Sequence, residues 1–167
     1  MTSFAGSFLI ASPSLRDPNF ARTVVLLLQH SEEGAFGLVV NRPARAEGIP
    51  FPVFAGGPCP APGLFLLHGH QEWLDESDDT SGKEVAPAIY LGDATSLTRI
   101  ADPEPGNPLR YRVFNGYAGW GPGQLEHEMR VGGWSTTPAN GTLLFNTPPD
   151  ELWDQLAPPA LPQPSLN

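Results

Sequence analysis

At 167 residues the chain fits one domain, and at 40% hydrophobic against 16% charged it reads as globular and not disordered. Nine Lys and Arg face eighteen Asp and Glu, for a formal net charge of −9, and the cations form no cluster. Nucleic acids and anionic membrane faces are held by clustered basic side chains, so direct binding to either is not expected. Twenty prolines and eighteen glycines imply many turns and short elements and argue against a helix bundle. The lone Cys59 leaves no internal disulfide and suits a reducing compartment. With no signal-peptide pattern at the N-terminus and no window near the ~20 apolar residues of a spanning helix, the expected location is the cytoplasm.

In chain order, residues 7–11 (SFLIA) form a short apolar run ended by Ser12-Pro13, a first strand. Residues 23–29 (TVVLLLQ) are apolar throughout and predict a strand buried on both faces. A turn at Ser31-Glu32-Glu33-Gly34 joins them to a strand over 35–40, which makes a hairpin. Further strands are predicted at 64–68, 88–91, 110–115, where polar and apolar residues alternate, and 143–145. Asp93 is placed to cap a helix over 94–101, and Pro122 to open one over 123–131 that carries a Glu126–Arg130 ion pair at i, i+4. Thr147 is placed to cap a last helix, with Pro148 and Pro149 at its start and Asp150 and Glu151 in its first turn. Residues 75–84 (DESDDTSGKE) read as an exposed loop. Residues 1–157 form the single domain, and 158–167 a proline-rich, flexible tail. Strands followed by strands interleaved with helices point to an α+β layer or an irregular barrel.

The most unusual stretch is residues 116–128, GYAGWGPGQLEHE. A glycine-rich turn before a helix presents backbone N–H groups, and the nest of residues 119–123 (Gly119, Trp120, Gly121, Gly123) would bind an anion. Trp120 offers a stacking face, and Gln124, Glu126 and Glu128 offer polar groups. The competing reading is a tight strand-to-helix crossing with Trp120 in the core. Asn41-Arg42-Pro43 ends a buried strand, where Arg42 would hold a carboxylate or phosphate or else pair with an internal acid. Gly56-Gly57-Pro58 is a tight turn or a place of close ligand approach. The four histidines lack zinc-ligand spacing, no G-x-S-x-G or G-x-G-x-x-G occurs, and neither a metal nor a cofactor is expected.

Several of these segments together resemble the AlgH/YqgE-like family of small bacterial proteins: residues 12–30 (SPSLRDPNFARTVVLLLQH), 34–43 (GAFGLVVNRP), 56–58 (GGP), 114–134 (FNGYAGWGPGQLEHEMRVGGW) and 143–153 (LLFNTPPDELW). The resemblance implies an α/β fold with a mixed, largely antiparallel, bifurcated sheet curled into a pseudo-barrel. It implies no established activity. The family's transcriptional-regulation label comes from one member, in alginate production, and an acidic chain would act in such a role indirectly.

Two functional expectations follow. The first is a non-catalytic protein that binds a small molecule or a protein partner, with Asn41, Arg42, Gly56, Gly57, Trp120, Gly121, Gly123, Gln124 and Glu126 as its contact residues. The second is an enzyme with Glu126 or Glu128 as acid/base, and Arg42 with the backbone nest as its anion-binding group.

Overall fold

The structure is a computed structural model that describes residues 3–44, 48–49, 51–74, 83–101, 106 and 108–157. The described strands are β1 (Ser7–Ala11), β2 (Val24–Ser31), β3 (Gly34–Val39), β4 (Pro43–Ala44), β5 (Val53–Ala55), β6 (Cys59–His68), β7 (Lys83–Ala86), β8 (Ile89–Leu91), β9 (Tyr111–Trp120) and β10 (Trp134–Pro138). The helices are α1 (Ala94–Ala101), α2 (Gln124–Arg130), α3 (Gly141–Asn146) and α4 (Pro149–Leu156).

The strands run in the order β10-β1-β2-β3-β9-β6-β8-β7, with β5 alongside β9 and β4 alongside β5. All pairs are antiparallel except β5–β9. Strand β9 is where the sheet divides. Its first half pairs with β6 (Phe65↔Phe114) and with β5 (Phe54↔Phe114), and its last three residues pair with β3 (Ala35↔Trp120, Phe36↔Gly119, Gly37↔Ala118). Gly116, at φ 82° between the halves, allows the strand to change sheets. The sheet curls until its ends meet: Gly141 N donates to Pro87 O at 2.9 Å, joining the segment after β10 to the β7–β8 turn. The mixed α/β class and the curled, divided, mostly antiparallel sheet match the expectation.

Strand β2 separates two cores. Val24 and Leu26 face one cluster with Phe8, Leu38, Phe114, Leu144 and Leu152, while Val25 and Leu27 face another with Leu9, Val39, Trp120, Leu125 and Trp134. Alternation on a strand covered on both sides is why residues 24–28 are apolar at every position, while Gln29, His30 and Ser31 run on past the cores. The β2–β3 hairpin turns over Glu32-Glu33, with Ser31 opposite Gly34.

Four local expectations fail. Residues 143–145 lie in helix α3, opened by Asn140, whose Oδ1 accepts from Leu143 N at 2.9 Å; this cap outweighs the strand preference of three apolar residues. Residues 116–120 are strand and not turn, since β3 supplies ladder partners. Thr147 ends α3, and α4 begins from Pro148 without a side-chain cap. Lys83 and Glu84 belong to β7, while the rest of the loop predicted over 75–84 lies outside the described residues, as does the tail 158–167. Asp93 caps α1 as expected, its Oδ1 accepting from Ser96 N at 3.0 Å.

Candidate functional site

The GYAGWGPGQLE segment makes a densely bonded polar cluster by running as strand into helix. Trp120 is the last residue of β9, Gly121-Pro122-Gly123 make the turn, and α2 follows. Gly123, the residue before the helix, is left-handed at φ 76°, a conformation that favours glycine. One turn into α2, Glu128 reaches back. Its Oε1 accepts from the indole Nε1 of Trp120 at 3.2 Å and of Trp134 at 3.0 Å, and its Oε2 accepts from Gln124 Nε2 at 2.9 Å. Gln124 Oε1 in turn accepts from Gly121 N at 3.0 Å, so this backbone N–H is already occupied. Phe20 stacks on Trp120 at 5.9 Å between centroids and meets Trp134 edge-on at 5.6 Å. Leu15, Asp17, Phe20, Trp120, Glu128 and Val131 border a groove of about 220 Å³, with Val131 the described large apolar side chain most open to solvent, at 69%.

Asn41 and Arg42 lie elsewhere and act on this groove through a loop. Arg42 Nη1 and Nη2 donate to the backbone carbonyls of Asn19 (2.6 Å) and Ala21 (2.9 Å). Asn41 Oδ1 accepts from Val24 N at 2.9 Å, and its Nδ2 donates to Arg22 O at 3.0 Å. Together they clamp the loop that carries Phe20, and the Arg42 guanidinium holds neither a described acid nor an open position in the groove. Gly56 and Gly57 support the divided sheet: Gly56 N donates to Asn115 O, and a Cβ on Gly57, at φ 151°, would overlap the Tyr117 carbonyl. Among the residues singled out from sequence, the groove gathers Trp120, Gln124 and Glu128. Gly121, Gly123 and Glu126 sit on the turn and the next face of the helix, and Asn41, Arg42, Gly56 and Gly57 sit away from it.

Glu126 does not form the expected ion pair with Arg130; it hydrogen-bonds His30 Nε2. His30 Nδ1 accepts from Phe4 N at 2.9 Å, so a neutral His30 carries its proton on Nε2 and donates it to Glu126. That bond from His30 holds the Glu126 carboxyl below its usual range. A second histidine group lies at the end of β6. His68 is fully buried, Nδ1 accepting from His70 N at 3.1 Å, and its Nε2 has no partner. Burial, then the neighbouring His70, push His68 down to about 4. No group of three or more His, Cys, Asp or Glu among the described residues is arranged to hold a metal.

Sequence reasoning missed Phe20, Trp134 and Val131 as groove walls, because they come from three segments that only the fold brings together. The one available signal was the pair Trp120 and Trp134 flanking a helix with a carboxylate on it.

The fold and this groove define a divided-sheet α/β protein with an aromatic, acid-floored groove at a strand-to-helix turn. The chain belongs to the AlgH-like family, whose model matches residues 8–159. A UPF0301 protein of Nitrosococcus oceani is 36% identical, covering 94% of this chain and 89% of its own length. One from Hahella chejuensis is 37% identical over 90% of this chain and 85% of its own. The solution structure of the AlgH protein from Pseudomonas aeruginosa is similar at a TM-score of 0.70 and 32% identity, over 93% of this chain and 88% of that one. Protein DIP2367 from Corynebacterium diphtheriae shares the fold at a TM-score of 0.73 and 23% identity, over 92% and 86% of the two chains.

Proposed function

We propose that this chain is a non-catalytic binding protein, indirectly regulatory and cytoplasmic, whose groove beside α2 receives a long cationic side chain from a polypeptide partner. The observation that carries this reading is Glu128, a carboxylate held in place by two indole N–H groups on the floor of an aromatic groove. Its Oε2 accepts a single described hydrogen bond and retains acceptor capacity for an incoming ammonium or guanidinium. Trp120, Trp134 and Phe20 add the aromatic surface that cations favour, and Asp17 and the net charge of −9 favour a basic partner. About 220 Å³ suits one side chain. The enzymatic alternative is less well supported, because the groups it needs are engaged: Glu128 accepts three hydrogen bonds, His30 holds Glu126 ionised, and Arg42 clamps a loop.

The test is a titration with a capped peptide of alternating lysine and alanine, read from the indole Nε1–H resonances of Trp120 and Trp134. Both resonances move with the lysine peptide and stay put with its glutamate counterpart. In Val131→Lys, which sets a competing cation at the groove's mouth, the response is lost. Equal responses to the two peptides, or an unchanged response in Val131→Lys, would refute the proposal.

A further inference from the structure

A second groove, sharing no lining residue with the first, lies where β5 meets the start of β9. Pro52, Phe54, Leu109, Tyr111 and Arg112 border about 260 Å³. Arg112 is half-buried there. Its Nη1 donates to Tyr111 O at 2.8 Å and its Nη2 to Phe145 O at 3.2 Å. The guanidinium carbon lies 5.6 Å from the centre of the Phe54 ring and 5.9 Å from that of Phe145. Every one of these partners is a carbonyl or an aromatic face. The described ion pairs are Arg22–Asp154, His30–Glu126 and His70–Glu72, so Arg112 pairs with no described carboxylate.

This is unexpected in a chain with twice as many acids as bases. Burial lowers the Arg112 guanidinium from its usual value, yet an arginine stays charged throughout the physiological range. A desolvated charge is normally paired, since burial removes its hydration and an unpaired one gets nothing in return. Of its five N–H groups two are used, which leaves three. Three free N–H groups are enough for a carboxylate to accept two parallel bonds, the way arginine grips such a group. The remaining described walls, Pro52, Phe54, Leu109 and Tyr111, offer apolar surface and no second cation. A single arginine balances a monoanion and falls short of a phosphate dianion.

We propose that this groove is a binding site for a small carboxylate with a flat or branched apolar body. Arg112 takes the carboxylate edge-on, and Phe54, Leu109 and Tyr111 cover the body. The site does not depend on the cationic-partner reading of the α2 groove, and the two fail or succeed separately.

The experiment is an NMR titration of the full chain with 3-phenylpropionate, beside 3-phenylpropanol and phenyl phosphate. The carboxylate moves the Arg112 Nε–H and the amides of Phe54 and Tyr111. The alcohol binds at least about tenfold more weakly, the signature of a charge-dependent contact. Arg112→Met weakens binding by at least about tenfold. Because that variant also loses the bond to Phe145 O and could fail to fold, Leu109→Glu provides an independent arm. It sets a resident carboxylate on the loop at the groove's edge, and binding is abolished with Tm unchanged. No shift at about 10 mM ligand, where even a Kd near 1 mM gives high occupancy, would overturn the proposal. So would an alcohol that binds as well as the acid, or intact binding in Leu109→Glu. Phenyl phosphate binding about tenfold more tightly than the carboxylate would overturn the assignment of ligand class.

Discussion

Replacing Glu128 with methionine keeps the side chain's length and removes the acceptors that organise the α2 groove. Trp120 is 6% exposed and Trp134 5%, so once the carboxylate is gone two mostly buried indole N–H groups lose their acceptor. A buried donor left without an acceptor costs about 1–3 kcal/mol, so two cost about 2–6 kcal/mol. Gln124, being exposed, recovers its bond from solvent and adds little. Glu128→Gln is the matched control. Its carbonyl oxygen can keep both indole bonds; it forgoes the charge assistance and the exposed bond from Gln124 Nε2, a loss of about 1 kcal/mol. Urea unfolding followed by circular dichroism supplies both free-energy differences. Exchange of the indole Nε1–H protons shows whether the loss is local to this cluster. A methionine variant within about 1 kcal/mol of wild type, or one no less stable than the glutamine variant, would refute the clamp, since the orphaned donors would then cost nothing.

Three further outcomes are expected. Gly57→Ala forces a Cβ into the Tyr117 carbonyl at φ 151° and should cost about 2–4 kcal/mol in denaturant unfolding; a near-neutral result would mean the divided sheet relaxes there easily. Arg42→Ala releases two carbonyls of the 17–22 loop and should cost about 1–3 kcal/mol, with faster amide exchange in that loop; wild-type exchange would deny the clamp. His68 has an ordinary value of 6.5 and is pushed to about 4 in the fold, so its neutral form is favoured there. The unfolded chain therefore takes up a proton first as pH falls. His68's contribution is fully present above 6.5 and lost between 6.5 and about 4, a decline of about 3 kcal/mol. The difference in unfolding free energy between wild type and His68→Gln should shrink across that window, and a flat difference would contradict the buried neutral ring.

The groove was legible in sequence only along single segments. GYAGWGPGQLEHE announces a strand-to-helix junction with a tryptophan before it and acids after it, and Trp120, Gln124 and Glu128 do come together. Asn41-Arg42 stood out because arginine at a strand end suits an anion. In the fold the side chain meets backbone carbonyls, which have no mark in the sequence because every residue carries one. Arg112 drew no attention for the opposite reason: within an alternating strand an arginine reads as a solvated face, and only Phe54 and Phe145 packing beside it turn it into a half-buried cation.

By itself the sequence determined what depends on neighbours along the chain. The alternation and the apolar runs of β1, β2 and β3, the two-residue hairpin, the Asp93 cap and the proline-led start of α4 all rest on contacts within a few residues. Only the tertiary structure decided that 116–120 extends a strand and that Glu126 pairs with His30 and not with Arg130 four residues away. Strand ladders, helix docking and buried ion pairs are settled by partners tens of residues distant, and local propensity yields to them because burial and hydrogen bonding outweigh the few tenths of a kcal/mol, roughly, that a local preference supplies.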